Sequence, residues 1–105
     1  MDINRHQDWL INFYKQRDWY DYSPIIRMNF LNEETGELSR AIRAYEIGRD
    51  HPGEAAESDE QRLADIKEEM ADVLDQVLIL SDHYNLSVAD LLEQSETKLK
   101  QRFNL

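Results

Sequence analysis

Apolar residues recur at helical spacing along almost the whole chain. Ile3, Trp9, Leu10 and Phe13 predict an amphipathic helix over residues 3–17, capped by Asp2, with Trp9 on the stripe and so in the core. Residues 18–22, Asp-Trp-Tyr-Asp-Tyr, carry no period and read as an ordered connection. Ser23-Pro24 then marks a helix start, Ser as N-cap and Pro at the first helical position, where its missing N–H costs nothing. The second helix runs to about Gly48, a residue suited to a left-handed stop. Residues 49–57, Arg-Asp-His-Pro-Gly-Glu-Ala-Ala-Glu, form a loop with breakers. Ser58-Asp59-Glu60-Gln61 fits a capping box and opens a third helix to about Tyr84. After the short turn Asn85-Leu86, Ser87-Val88-Ala89-Asp90 fits a weaker box, Asp being shorter than Glu, and opens a fourth helix to about Phe103. No strand-like alternation, internal repeat or low-complexity tract interrupts this, so the expected architecture is an all-α, four-helix bundle-like fold, one domain over residues 1–105.

Two acidic pairs break the apolar pattern. The arc of the second helix is Ile26, Phe30, Leu31, Leu38, Ala41, Ile42 and Tyr45; Glu34 falls near its middle and Glu37 lies within it. A carboxylate facing a core must be neutralised, paired or bound to metal, since burying it bare costs many kcal/mol. Residues three apart share a helix face, so both carboxylates can reach one cation. The third helix has the arc Leu63, Ile66, Met70, Val73, Leu74, Val77 and Tyr84, with Glu69 at its edge. Asp72, three residues on, lies further toward the polar side. One such pair is a common surface event; two, on helices joined by a single loop, point to a shared site. Four carboxylates without imidazole or thiolate suit hard divalent cations, Mg²⁺ or Mn²⁺. A di-iron bundle would need two Glu-x-x-His motifs. Ile3, Gly48 and Leu80 stand three residues before His6, His51 and His83, so that reading fails.

Composition narrows the partners. The 105 residues carry 22 acidic and 12 basic side chains, net −10, so duplex nucleic acid, which is gripped through Lys and Arg, is an unsuitable partner. Nine acidic residues lie between Asp50 and Asp72 against Arg62 and Lys67, whereas Lys98, Lys100 and Arg102 give the end a basic edge. No apolar run reaches the ~18 residues of a membrane span and no secretory h-region follows Met1, so the expectation is a soluble cytoplasmic protein. With no cysteine there is no disulfide framework and no thiol nucleophile. A chain this short buries only about 60–65% of its unfolded surface, so a partner subunit should complete the fold.

Glu33-Glu34-Thr35-Gly36-Glu37-Leu38 followed by Glu68-Glu69-Met70-Ala71-Asp72-Val73-Leu74 resembles the E-E-x-x-E … E-x-x-D pattern of the MazG-like nucleotide pyrophosphohydrolases. The likeness extends from about Pro24 to Phe103 and includes the closing basic run Lys98-Leu99-Lys100-Gln101-Arg102-Phe103. It implies an all-α fold assembled as a dimer or a dimer of dimers, and Mg²⁺-dependent cleavage of a nucleoside triphosphate to the monophosphate and pyrophosphate. By position Glu34, Glu37, Glu69 and Asp72 match the family's metal ligands, and Glu33 its first motif residue, a ligand or supporting group.

The chemistry suits that expectation. A triphosphate brings about four negative charges to four carboxylates, and divalent ions between them reverse the sign. Lys98 and Arg102, one turn apart, can contact phosphates, or simply complement the helix dipole. Trp19 and Tyr22, off any stripe, are candidates for stacking on a nucleobase. The competing reading is a non-catalytic helical dimer whose acidic face binds a basic partner; Glu34 inside the apolar arc argues against it.

Overall fold

The computed structural model describes residues 1–48, 52–53 and 56–105, and the loop expected over 49–57 falls in large part outside them. Four helices form, α1 (Ile3–Gln16), α2 (Pro24–Ile47), α3 (Asp59–His83) and α4 (Val88–Phe103), with no strand among the described residues. Most of the boundaries have a local cause. The Asp2 carboxylate accepts from the Arg5 N–H at 2.9 Å. Gly48, at φ 96, closes α2 by donating to the Ala44 carbonyl. Ser58 Oγ accepts from the Gln61 N–H at 3.1 Å, and the Gln61 amide donates onward to Asp65. At Ser87 both halves of the capping box close, at 2.9 and 3.1 Å, so Asp is long enough there. Asp18, Asn85 and Asn104 take left-handed conformations just after helix ends, an arrangement Asx side chains tolerate.

The chain divides into two compact units, residues 1–24 with 77–105, and residues 25–76. The first contains the apolar core: Leu10, Ile11, Leu78, Ile79 and Val88 are buried, and Ile3, Tyr14 and Tyr20 pack against them. Gln7 is buried with them because its amide donates to the Leu78 carbonyl at 2.9 Å and to Ser81 Oγ at 3.0 Å. The Tyr20 hydroxyl donates to the Asp82 carboxylate, and burial together with that acidic partner pushes its pKa up to about 12. Trp9 departs from expectation. It is 58% exposed, stacked between His6 and Phe13 on the outer side of α1, because the buried stripe runs through Gln7, Leu10 and Ile11.

In the second unit the buried side chains, among the described residues, are polar: Arg27, Arg62 and Gln76. Arg27 donates to the Gln76 side-chain oxygen at 3.5 Å. Of the apolar arcs expected here, Phe30, Leu31, Leu38, Ala41, Tyr45, Ile66 and Val73 are half-buried. Ile26, Ile42, Leu63, Met70 and Leu74 are exposed.

Candidate metal centre

Glu34 and Glu37 stand one turn apart on α2, and Glu69 stands on α3, all within the second unit. One carboxylate oxygen from each lies within 4.8 Å of the others. Like charges at that separation cost on the order of 1–4 kcal/mol per pair. The effect shows at Glu69 and Glu34. Burial, then the neighbouring Glu37, pushes the Glu69 carboxyl up to about 7, and Glu34 rises for the same reasons. Oε2 of Glu34 and Oε2 of Glu69 are buried and accept no hydrogen bond. An orphaned buried acceptor costs about 1–3 kcal/mol, and more when charged.

The donor set fits a divalent cation: three hard carboxylates converge from two helices, and Glu34 and Glu69 each also bury an oxygen that accepts no hydrogen bond. Asp72, placed by sequence on the polar side, is half-buried, and burial raises its carboxyl, followed by the charges of Glu68, Asp75 and Glu37. Its charge in turn raises both Glu34 and Glu69, so it borders the cluster of three. Glu33 is exposed and acts on Glu34 through charge alone.

A cleft of about 360 Å³ shares Glu37 and Glu69 with this cluster. Its walls continue the two helical stripes, Arg40, Ala41 and Ala44 after Glu37 on α2, and Arg62 and Asp65 before Glu69 on α3. Sequence reasoning passed over these residues. The signal was present: 37, 40, 41 and 44 share one helix face, as do 62, 65 and 69. The remaining candidates, Trp19, Tyr22, Lys98 and Arg102, belong to the first unit and are exposed. Trp19 meets the Phe13 and Tyr14 rings edge-on at 5.9 and 5.6 Å. None of the four is among the residues gathered at the carboxylates.

An all-α chain with convergent carboxylates on two long helices defines a class, and comparison with known proteins gives its family. Residues 23–104 match the MazG nucleotide pyrophosphohydrolase domain. The chain is 44% identical over 103 residues to YvdC of Bacillus subtilis (strain 168), a protein named as uncharacterized, covering 98% of this chain and 97% of that one. It is also similar to a crystal structure described as "the putative pyrophosphatase YPJD from Bacillus subtilis", with a TM-score of 0.68, 26% identity, and coverage of 100% of this chain and 97% of that one. The chain belongs to the MazG nucleotide pyrophosphohydrolase family, and is an enzyme of that kind.

Proposed function

We propose that the protein hydrolyses a nucleoside triphosphate at the α–β phosphoanhydride, consuming one water and releasing the monophosphate and pyrophosphate, with Mg²⁺ held by Glu34, Glu37, Glu69 and Asp72. The observation that carries the metal assignment is the convergence of the Glu34, Glu37 and Glu69 carboxylates, two of which also bury an oxygen that accepts no hydrogen bond. When bound, the ion polarises the α-phosphoryl group, lowers the pKa of a coordinated water and neutralises the leaving pyrophosphate. Glu34 and Glu69 would supply half-buried carboxylates to the ion, and the exposed Glu37 a third. Burial and the neighbouring Glu37 raise the Glu69 carboxyl to about 7, so it would have to be deprotonated to hold a cation. Manganese should substitute, since the oxygen donors do not discriminate sharply between the two ions.

The test is pyrophosphate release from a panel of ribo- and deoxyribonucleoside triphosphates, with Mg²⁺ and with chelator. Release that needs the divalent ion and disappears in Glu34→Gln and Glu69→Gln supports the reading. Release indifferent to chelation overturns it. Substitution of Lys98 or Arg102 by Ala should raise KM in the same assay if the triphosphate draws on these cations.

A further inference from the structure

Two contacts between α2 and α3 share one register. Glu34 meets Glu69 in the carboxylate cluster, an oxygen of each lying within 4.8 Å, and Arg27 donates to the Gln76 side-chain oxygen at 3.5 Å. Arg27 lies seven residues before Glu34 on α2, and Gln76 lies seven residues after Glu69 on α3. Seven residues along a helix return to nearly the same face, about 10.5 Å further on. The two contacts therefore lie on one antiparallel seam, two turns apart, within the second unit. We propose that Arg27 and Gln76 are positioning residues, a buried polar clamp that sets the register of α2 against α3 and so brings the Glu34, Glu37 and Glu69 carboxylates together. Its bearing on the reaction rests on the metal-dependent pyrophosphohydrolase reading; its bearing on the register does not.

Apolar packing alone fixes this seam poorly. Its neighbours Phe30, Leu31 and Val73 are half-buried, and Met70 and Leu74 are exposed. Contacts of that kind are non-directional, so one helix can slide a turn past the other, about 5.4 Å, with little change in buried apolar area. The three carboxylates repel one another and oppose the arrangement that holds them together. A buried polar pair does not slide in this way. Arg27 is 3% exposed and Gln76 9%, and a slip of one turn parts the guanidinium from its acceptor, where water cannot replace it. Single buried polar contacts are the best-attested devices for fixing the register of paired helices. Phe30, one turn along α2, lies with its ring 5.6 Å from the guanidinium carbon and further restricts that side chain. The clamp works through geometry rather than charge. Two turns away it leaves the cluster acidic, and burial and neighbouring carboxylates still raise both Glu34 and Glu69.

Two measurements on the full chain test this. In the first, calorimetry gives the Mn²⁺ affinity of Arg27→Gln, of Gln76→Asn, which draws the acceptor back by one methylene, and of the exchanged pair Arg27→Gln with Gln76→Arg. Each single variant should raise the Kd about tenfold or more, the usual scale for groups that orient metal ligands without touching the ion. The exchanged pair should recover most of that loss. Gln7→Ala removes an anchor in the first unit, and should lower stability while leaving the Kd within about twofold. Single variants with the wild-type Kd would overturn the clamp, as would an exchanged pair no better than the singles or an equal loss in Gln7→Ala. Should Arg27→Gln fail to fold, the milder Gln76→Asn decides alone. The second measurement needs no metal and exploits the lack of native cysteine. A short thiol cross-linker should join Glu34→Cys to Glu69→Cys within one chain, and adding Gln76→Asn should slow that reaction several-fold. Cross-linking at an unchanged rate would sink the proposal. A wild-type chain that binds no Mn²⁺ would refute the metal reading alone, because the cross-linking rate still decides the register.

Discussion

Glu34 and Glu69 are the residues at which local chemistry is most constrained. Each buries an acceptor oxygen with no donor and faces like charge. Replacing either by Gln, or Glu37 by Gln or Asp72 by Asn, should cut turnover at least ~100-fold, a barrier increase of about 2.7 kcal/mol, in a steady-state pyrophosphate assay. Glu34→Gln should at the same time stabilise the metal-free protein, since it removes one charge from the cluster. The raised carboxyls also predict how stability depends on pH. Between the ordinary Glu value of 4.5 and about 7, folded Glu69 holds a proton that the unfolded chain has released. Where the native state binds more protons, stability falls as pH rises. In chelator, urea midpoints should therefore decline from about pH 4.5 to about pH 7, and the decline should flatten in Glu69→Gln. A wild-type profile no steeper than that of the variant would show that Glu69 is not titrating in this window.

At the scale of the element, the ends of the helices are better specified than their faces. Ser87 and Asp90 close a reciprocal box at the start of α4, so Ser87→Ala should cost about 1 kcal/mol in chemical denaturation. Gln7 holds α1 against the C-terminal part of α3 through the Leu78 carbonyl and Ser81 Oγ. Gln7→Ala leaves those buried groups with fewer partners and should cost about 1–3 kcal/mol, more than truncation of the exposed and larger Trp9. The reverse order would show that the outer stack of His6, Trp9 and Phe13 carries more of the stability than the inner polar anchor.

For the whole molecule, the second unit is the telling part. Its buried side chains, among the described residues, are polar, while Leu63, Met70 and Leu74 are about half exposed. Apolar area left in water on that scale is what a subunit interface covers. The protein should run as a dimer or larger in light scattering at micromolar concentration, against the 12.5 kDa of one chain. A cation that binds only the folded form adds RT ln(1 + [L]/Kd), about 2.7 kcal/mol at a hundredfold excess over Kd. For a domain of this length that raises Tm by roughly 10 °C or more. Mg²⁺ should therefore exceed NaCl matched for ionic strength, which merely screens the repulsion. Among the described residues no helix is long and apolar enough to cross a membrane.

Much of this was legible in the order of residues. Helix boundaries rest on contacts within about four residues, so Asp2, Ser58, Ser87 and Gly48 announced them. The anomaly at Glu34 was legible too, because a carboxylate there violates a period that can be counted along the chain. Which face of α1 is inside was not legible. Periodicity ranks Trp9 above Gln7, but burial went to Gln7 because Ser81 and Leu78, more than seventy residues away, satisfy its amide. Nor could spacing show that Glu34, Glu37 and Glu69 converge to within 4.8 Å, that Asp72 is half-buried beside them, or that the two stripes enclose a cleft. Those outcomes depend on how α2 and α3 approach each other, a matter of long-range packing that no local pattern encodes.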